Sequence, residues 1–230
     1  MVTGASRGIG LAIATSLVSH GARVFMFARN PEALQEAVHA LGTLAIAHRC
    51  DVSDQAAVDR AADAIRSTLH DGVPDIVVNN AGLFPLASLD TISVDDFART
   101  IDVNLVAPFR VLRAFLPAMR ARGSGHVVTI GSVADRNIFP GNGAYSASKY
   151  GQRAMQEVLA TELKGTGVRR TLVSPAATDT PIWDVIDPDN QPGFPTRASM
   201  LRAEDVADAV LWALTRPAHV NVDELRVSSS

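Results

Sequence analysis

The chain has 230 residues, 47% of them hydrophobic and 20% charged, and a formal net charge of −3. That length suits one α/β domain and buries roughly 70% of the unfolded surface, so no disulfide or metal staple is needed. The small negative charge offers nucleic acid and acidic membrane no electrostatic handle, and no apolar run approaches the roughly 20 residues of a membrane span.

Short β-branched runs alternate with longer amphipathic stretches. Strands are expected at 23–28, 44–49, 75–79, 126–130, 169–174 and near 224–227. Helices are expected at 9–20, 31–40, 55–68, 94–122, 144–165 and 203–215. Continuously apolar runs such as Ile76-Val77-Val78 suit strands buried on both faces. The expected fold is therefore α/β: a doubly wound parallel sheet in three layers, one domain over residues 1–230. Only Met1 and Val2 precede Thr3, so the first strand is expected to be truncated. Because that strand is central, a start at Met1 is expected to leave a gap in the core. No basic-then-apolar signal opens the chain, and a cytoplasmic location is expected.

Pro175, Pro181, Pro188, Pro192 and Pro195 rule out one regular helix across that segment. It reads as a flap near 181–200 over a pocket or as a long surface connection; its length favours the flap. The lone Cys50 reads as a buried structural thiol. His20, His39, His48, His70, His126 and His219 lack metal-ligand spacing. They are expected in solvent or at helix ends, and no metal is expected.

The chemistry begins at Thr3-Gly4-Ala5-Ser6-Arg7-Gly8-Ile9-Gly10, where a strand would meet a helix. Glycines allow a sharp turn and close approach, and a helix start offers free N–H groups to a pyrophosphate. A glycine-rich tight turn without a ligand is the plainer reading. Ala28 stands where an NAD-binding acid would be expected, and Arg29 follows it. Arg7 and Arg29 could grip a 2′-phosphate, which favours NADP(H) over NAD. Two solvated arginines beside a weak NAD site are the alternative. Tyr145 and Lys149 are four apart and share one helix face. Ser132 follows the strand at 126–130, and Asn104 lies in the stretch before it.

Together these motifs resemble the short-chain dehydrogenase/reductase family, from the glycine turn to about Thr180. The resemblance implies a Rossmann fold and an oxidoreductase with Asn104, Ser132, Tyr145 and Lys149 as its catalytic tetrad. Gly4, Ser6, Arg7, Gly8, Ile9, Gly10 and Arg29 would bind the cofactor. Asp51 and Val52 would meet the adenine, although Asp51 also reads as a helix N-cap. Asn80, Ala81 and Gly82 of Asn79-Asn80-Ala81-Gly82 would pack beside the ribose. Pro175, Ala176, Thr178 and Thr180 would reach the nicotinamide amide, with Ala176 in place of the usual glycine. Tyr145 would act as general acid/base with its pKa lowered by Lys149, which would also hold the ribose. Ser132 would bond the substrate oxygen, and Asn104 would hold a water that links Lys149 to solvent.

The substrate is expected to be a small carbonyl compound or alcohol. Phe84, Ile138, Phe139, Asn142, Ile182, Trp183 and Ile186 are the expected lining, so a hydrophobic ketone or aldehyde suits it. The resemblance also implies a homodimer or homotetramer through the two long helices. Nucleic-acid and membrane partners are not expected. A cofactor-binding regulator without turnover and a cofactor-dependent epimerase stand as alternatives.

Overall fold

A computed structural model describes residues 1–230. One seven-stranded sheet, wholly parallel, runs through it. In chain order the first half holds β1 (Val2–Thr3), α1 (Gly8–Ser19), β2 (Val24–Ala28), α2 (Pro31–Leu41), β3 (Ala45–Arg49), α3 (Gln55–Thr68) and β4 (Ile76–Asn79). There follow α4 (Val94–Ile101), α5 (Ala107–Arg122), β5 (Gly125–Ile130), α6 (Gly143–Glu162) and β6 (Val168–Pro175). Last come β7 (Thr178–Asp179), β8 (Leu201–Arg202), α7 (Ala203–Leu214) and β9 (Glu224–Val227). The main sheet has the order β3-β2-β1-β4-β5-β6-β9, and β7 pairs with β8 in a small ribbon. The order reverses between β1 and β4, where ligands of doubly wound sheets collect.

Strand alternation builds two cores. Phe25, Phe27, Val77 and Val127 face α3, α5 and α6, while Val24, Met26, Val78 and Val128 face α1, α2 and α7. Both faces are covered, so strand residues on either side are apolar. Helix starts are fixed locally. The Asn30 side chain caps α2 at Ala33 N, with Pro31 in the first turn, and Ser93 caps α4 at Asp96 N.

Four expectations change. The stretch 94–122 is interrupted: a π-helical turn, Asp102–Val106, joins α4 to α5 and carries Asn104. The cap of α3 is Asp54, not Asp51, whose carboxylate instead accepts Ser53 N–H and Oγ–H. Two histidines are neither solvated nor terminal. His126 on β5 is buried against Thr171, and His48 on β3 packs between Phe25 and Phe27. An imidazole is small and flat enough for a strand interior once one nitrogen is paired. The first strand is two residues long, as expected. Yet Met1 and Val2 are buried in the two cores, and Thr3 stitches β1 to β4 through Val78 O, Asn80 N and Ala81 N. Side-chain hydrogen bonds thus supplement the short ladder, which meets β2 only at Met26 and Phe27.

Candidate active site

A cavity of about 1310 Å³ opens where β1, β4, β5 and β6 end. At one end is the glycine turn. Gly4 and Gly8 have φ of 64° and 56°, a backbone that favours glycine. A Cβ on Gly4 would lie 2.9 Å from Ala81 Cα, and one on Gly8 would lie 3.2 Å from Thr180. Gly10 lies behind the turn, where a Cβ would strike Gly4 O and the Asn80 amide. That amide donates to Thr3 O at 2.9 Å and so ties the β4 end to the turn. No side chain caps α1, so its first N–H groups are left to an outside acceptor.

Ser6, Arg7, Gly8, Ile9, Arg29, Asp51, Val52, Asn80, Ala81 and Gly82 all line this cavity, together with Pro175, Ala176, Thr178 and Thr180. Arg7 and Arg29 are the exposed cations at that end. Burial works against ionisation of Asp51, but bonds from Ser53 and the charges of Arg29 and Arg99 hold its carboxyl below the usual range. Asp187 is the one non-glycine residue with positive φ, so Ala176 has ordinary backbone in the family's glycine position. The Thr178 hydroxyl donates to Ala176 O at 3.0 Å and steadies that segment.

At the other end stand Ser132, Tyr145 and Lys149. Ser132 follows β5, and its Oγ accepts Ala134 N–H at 3.1 Å. Tyr145 sits in the first turns of α6 with Lys149 one turn on, and all three side chains line the cavity. The Lys149 ammonium donates to Ile130 O and to Gln152 Oε1, each at 3.0 Å. It lies 5.5 Å from the centre of the Tyr145 ring. Burial lowers the ammonium to about 8 and raises the phenol, with Ser132 opposing the latter. The expectation that Lys149 lowers the Tyr145 pKa is therefore not met here. The ammonium is held by two carbonyl oxygens, and desolvation dominates the phenol.

Asn104 does not line the cavity. Its amide bonds Leu83 N, Leu83 O and Ser148 Oγ. Its backbone carbonyl accepts from Gln152, the same side chain that accepts from Lys149. Asn104 thus reaches Lys149 through Gln152, a residue the sequence did not single out. Gln152 is three positions past Lys149 on α6, so helical spacing carried that signal.

The cavity wall beside Tyr145 is aromatic. Phe84 packs edge-on against Tyr145 at 4.7 Å and Trp183 at 5.2 Å, and Phe194 packs on Trp183 at 6.2 Å. Trp183 Nε1–H donates to Thr178 O, so its one polar group is committed. Phe139, Asn142 and Ile182 line the cavity as expected. Ile138 is 75% exposed outside it, and Ile186 is buried behind Trp183 with Met200. A short loop turns Ile138 outward, and the turn after Trp183 points Ile186 into the flap's own core.

A family model described as short chain dehydrogenase matches residues 1–191. An uncharacterized oxidoreductase of Staphylococcus epidermidis is 37% identical, over 99% of this chain and 95% of its own length. Glycine betaine reductase ATRR of Emericella nidulans is 38% identical over 99% of this chain, which spans only 18% of that protein. Among solved structures, an alcohol dehydrogenase of Thermococcus sibiricus, complexed with 5-hydroxy-NADP, is similar with a TM-score of 0.86. It is 31% identical, and the match covers 99% of this chain and 94% of that one.

Proposed function

This chain belongs to the short-chain dehydrogenase family of oxidoreductases, and on that premise we propose that it interconverts an uncharged carbonyl compound and its alcohol with NADP(H). Tyr145 is the proton donor and acceptor. The observation that carries this reading is one cavity shared by the uncapped glycine turn, Ser132, Tyr145 and Lys149.

The residues present fit a dinucleotide phosphate. The turn is a cradle that side chains on Gly4 or Gly8 would crowd, and its N–H groups face outward without a cap. The helix start attracts anionic oxygen through its dipole. Arg7 and Arg29 suit a 2′-phosphate, and Ala28 before Arg29 leaves no acid to repel it. Gly4, Ser6, Arg7, Gly8, Ile9 and Gly10 would hold the phosphates. Asp51 and Val52 would hold the adenine, and Asn80, Ala81 and Gly82 the ribose. Pro175, Ala176, Thr178 and Thr180 would hold the amide. Bound NADPH supplies the hydride.

This chain's residues then manage one oxygen and one proton. Ser132 Oγ–H would donate to the carbonyl oxygen and stabilise charge as it develops there. Tyr145 gives its proton to that oxygen and takes it back in the reverse direction. The raised phenol keeps the proton in place at neutral pH, which suits reduction. Lys149 and Gln152 extend the path inward toward Asn104. The walls select the substrate. Phe84, Trp183 and Phe194 are apolar, and of the cavity's three cations two, Arg7 and Arg29, lie at the glycine-turn end. A carboxylate at the aromatic end would lose its hydration without gaining a partner, whereas a hydrophobic ketone or aldehyde would lose nothing.

Assembly as a homodimer or homotetramer belongs to the same proposal. It is supported by Phe109, Tyr150 and Val158 on α5 and α6, which are 50%, 42% and 56% exposed.

The direct test replaces Tyr145 by Phe. NADPH consumption with hydrophobic ketones is expected to fall by about 100-fold or more, the scale of one general acid, while NADPH binding persists. Unchanged turnover would contradict the assignment.

A further inference from the structure

The inner face of α6 carries polar side chains where an apolar stripe is the rule. Lys149, Gln152 and Gln156 follow one another at helical spacing, and all three are buried. Buried amides are costly unless they are paired. Gln156 is paired in part: its Nε2 donates to Thr129 Oγ1 at 2.9 Å, and its Oε1 has no partner. Gln152, 1% exposed, is paired at both ends. Its Oε1 accepts from the Lys149 ammonium at 3.0 Å, and its Nε2 donates to Asn104 O.

Both anchors of this bridge are themselves held. Asn104 stands in the π-helical turn, and Pro108, four residues on, has no N–H to give its carbonyl. The Asn104 side chain is tied to Leu83 N, Leu83 O and Ser148 Oγ. The Lys149 ammonium has three N–H groups. One goes to Ile130 O and one to Gln152 Oε1, each at 3.0 Å. With two corners of the ammonium pinned, the third has one direction left, and Lys149 lines the cavity. The family resemblance implies a water at Asn104 that links Lys149 to solvent. Here that carbonyl accepts from an amide, which neither gains nor loses a proton at neutral pH.

We propose that Gln152 is a positioning residue: it bridges Asn104 O and the Lys149 ammonium with protein in place of water, and so aims the remaining Lys149 N–H at the cavity. The inference rests on the reading of Lys149 and Tyr145 as partners in proton transfer. A water in that place would exchange and pass protons on, whereas the Gln152 amide holds an orientation and passes none. The hydrogen-bonded path inward from Lys149 is therefore a support, and protons reach Tyr145 from the cavity side. Loss of the Gln152 acceptor leaves a buried ammonium with one neutral partner, and burial already lowers it to about 8. The titratable groups that bear on it are Tyr145, whose ring centre is 5.5 Å away on the same helix, and Asp135 on the turn after β5. Both are unchanged in the variants below.

Gln152→Met removes acceptor and donor at similar size, whereas Gln152→Glu keeps the acceptor on Lys149 and adds a charge. In NADPH-dependent ketone reduction the Met variant is expected to lose about 10-fold or more in kcat, with KM for the ketone within about twofold. The basic limb of its kcat profile is expected to move to lower pH by roughly one unit, because the ammonium has lost a partner. In Gln152→Glu the limb is expected to move to higher pH, because an opposite charge faces the ammonium, and kcat is expected to return toward wild type. Lost packing alone would not move the two limbs in opposite directions. Gln152→Leu supplies a second apolar form should the Met variant fail to fold, and the Glu limb is a test by itself. Lower kcat in the Met and Glu variants alike with unmoved limbs would overturn the inference, as would unchanged kcat in the Met variant; either leaves the Tyr145 reading intact. Full activity of Tyr145→Phe would instead overturn the reading on which it rests.

Discussion

We propose Arg29 and Arg7 as the chain's means of telling one nicotinamide cofactor from the other. Both lie exposed at the glycine-turn end of the cavity, and no acid stands at Ala28 to hold a bare ribose hydroxyl. A guanidinium bonded to phosphate contributes about 1.5–3 kcal/mol. Arg29→Ala is therefore expected to weaken NADPH binding roughly 10- to 100-fold in a fluorescence titration and to leave NADH nearly unchanged. Equal losses for both would contradict the 2′-phosphate reading. These residues were legible in the sequence because each motif is local: a turn, a strand end, two positions on one helix face. Gln152 was not. Its significance comes from an element distant in the chain, the turn that carries Asn104.

We propose that the segment 181–200 is a flap, and it has its own small core and its own clasp. Trp183, Ile186 and Met200 pack together beneath it. Arg197 bonds Asp179 at 2.6 Å and Asp184 at 2.7 Å, and its backbone N–H donates to Asp189 at 2.8 Å. The Arg197 side chain is 28% exposed and its two partners more so, so solvent screening discounts each pair to well under the buried value. Arg197→Ala is expected to raise KM for the carbonyl substrate roughly fivefold, with NADPH affinity little changed. An unchanged KM would show that the clasp does not hold the flap over the site. Proline spacing made this segment stand out in the sequence. The β7–β8 ribbon that frames it was invisible, because two-residue strands carry no period. The π-helical turn at Asp102–Val106 was equally hidden, since one extra residue per turn leaves a helical pattern almost intact.

At the scale of the whole molecule, strand–helix alternation made the sheet legible, and boundaries moved by only a residue or a few. What alternation could not give is which polar residue sits in the core. His126 lies in β5 with Thr171 as its partner, and burial, helped by Arg169, lowers its pKa to about 4. The folded value lies below the unfolded value of about 6.5. Stability from neutral His126 is thus complete above about 6.5 and is lost as the pH falls toward 4. The loss reaches roughly 3 kcal/mol. His126→Gln is expected to lower stability at pH 7 but to flatten the decline below 6.5 in urea unfolding. A parallel decline in both proteins would show that His126 does not titrate on unfolding.

One cavity joins the glycine turn to Tyr145, and we propose the first as a dinucleotide cradle and the second as the proton donor. Measuring NADPH affinity and NADPH-dependent ketone reduction on the same preparation of Tyr145→Phe tests that pairing. The expected result is wild-type affinity with turnover reduced by about 100-fold or more. Wild-type turnover in that variant, or no NADPH binding by either protein, would contradict it.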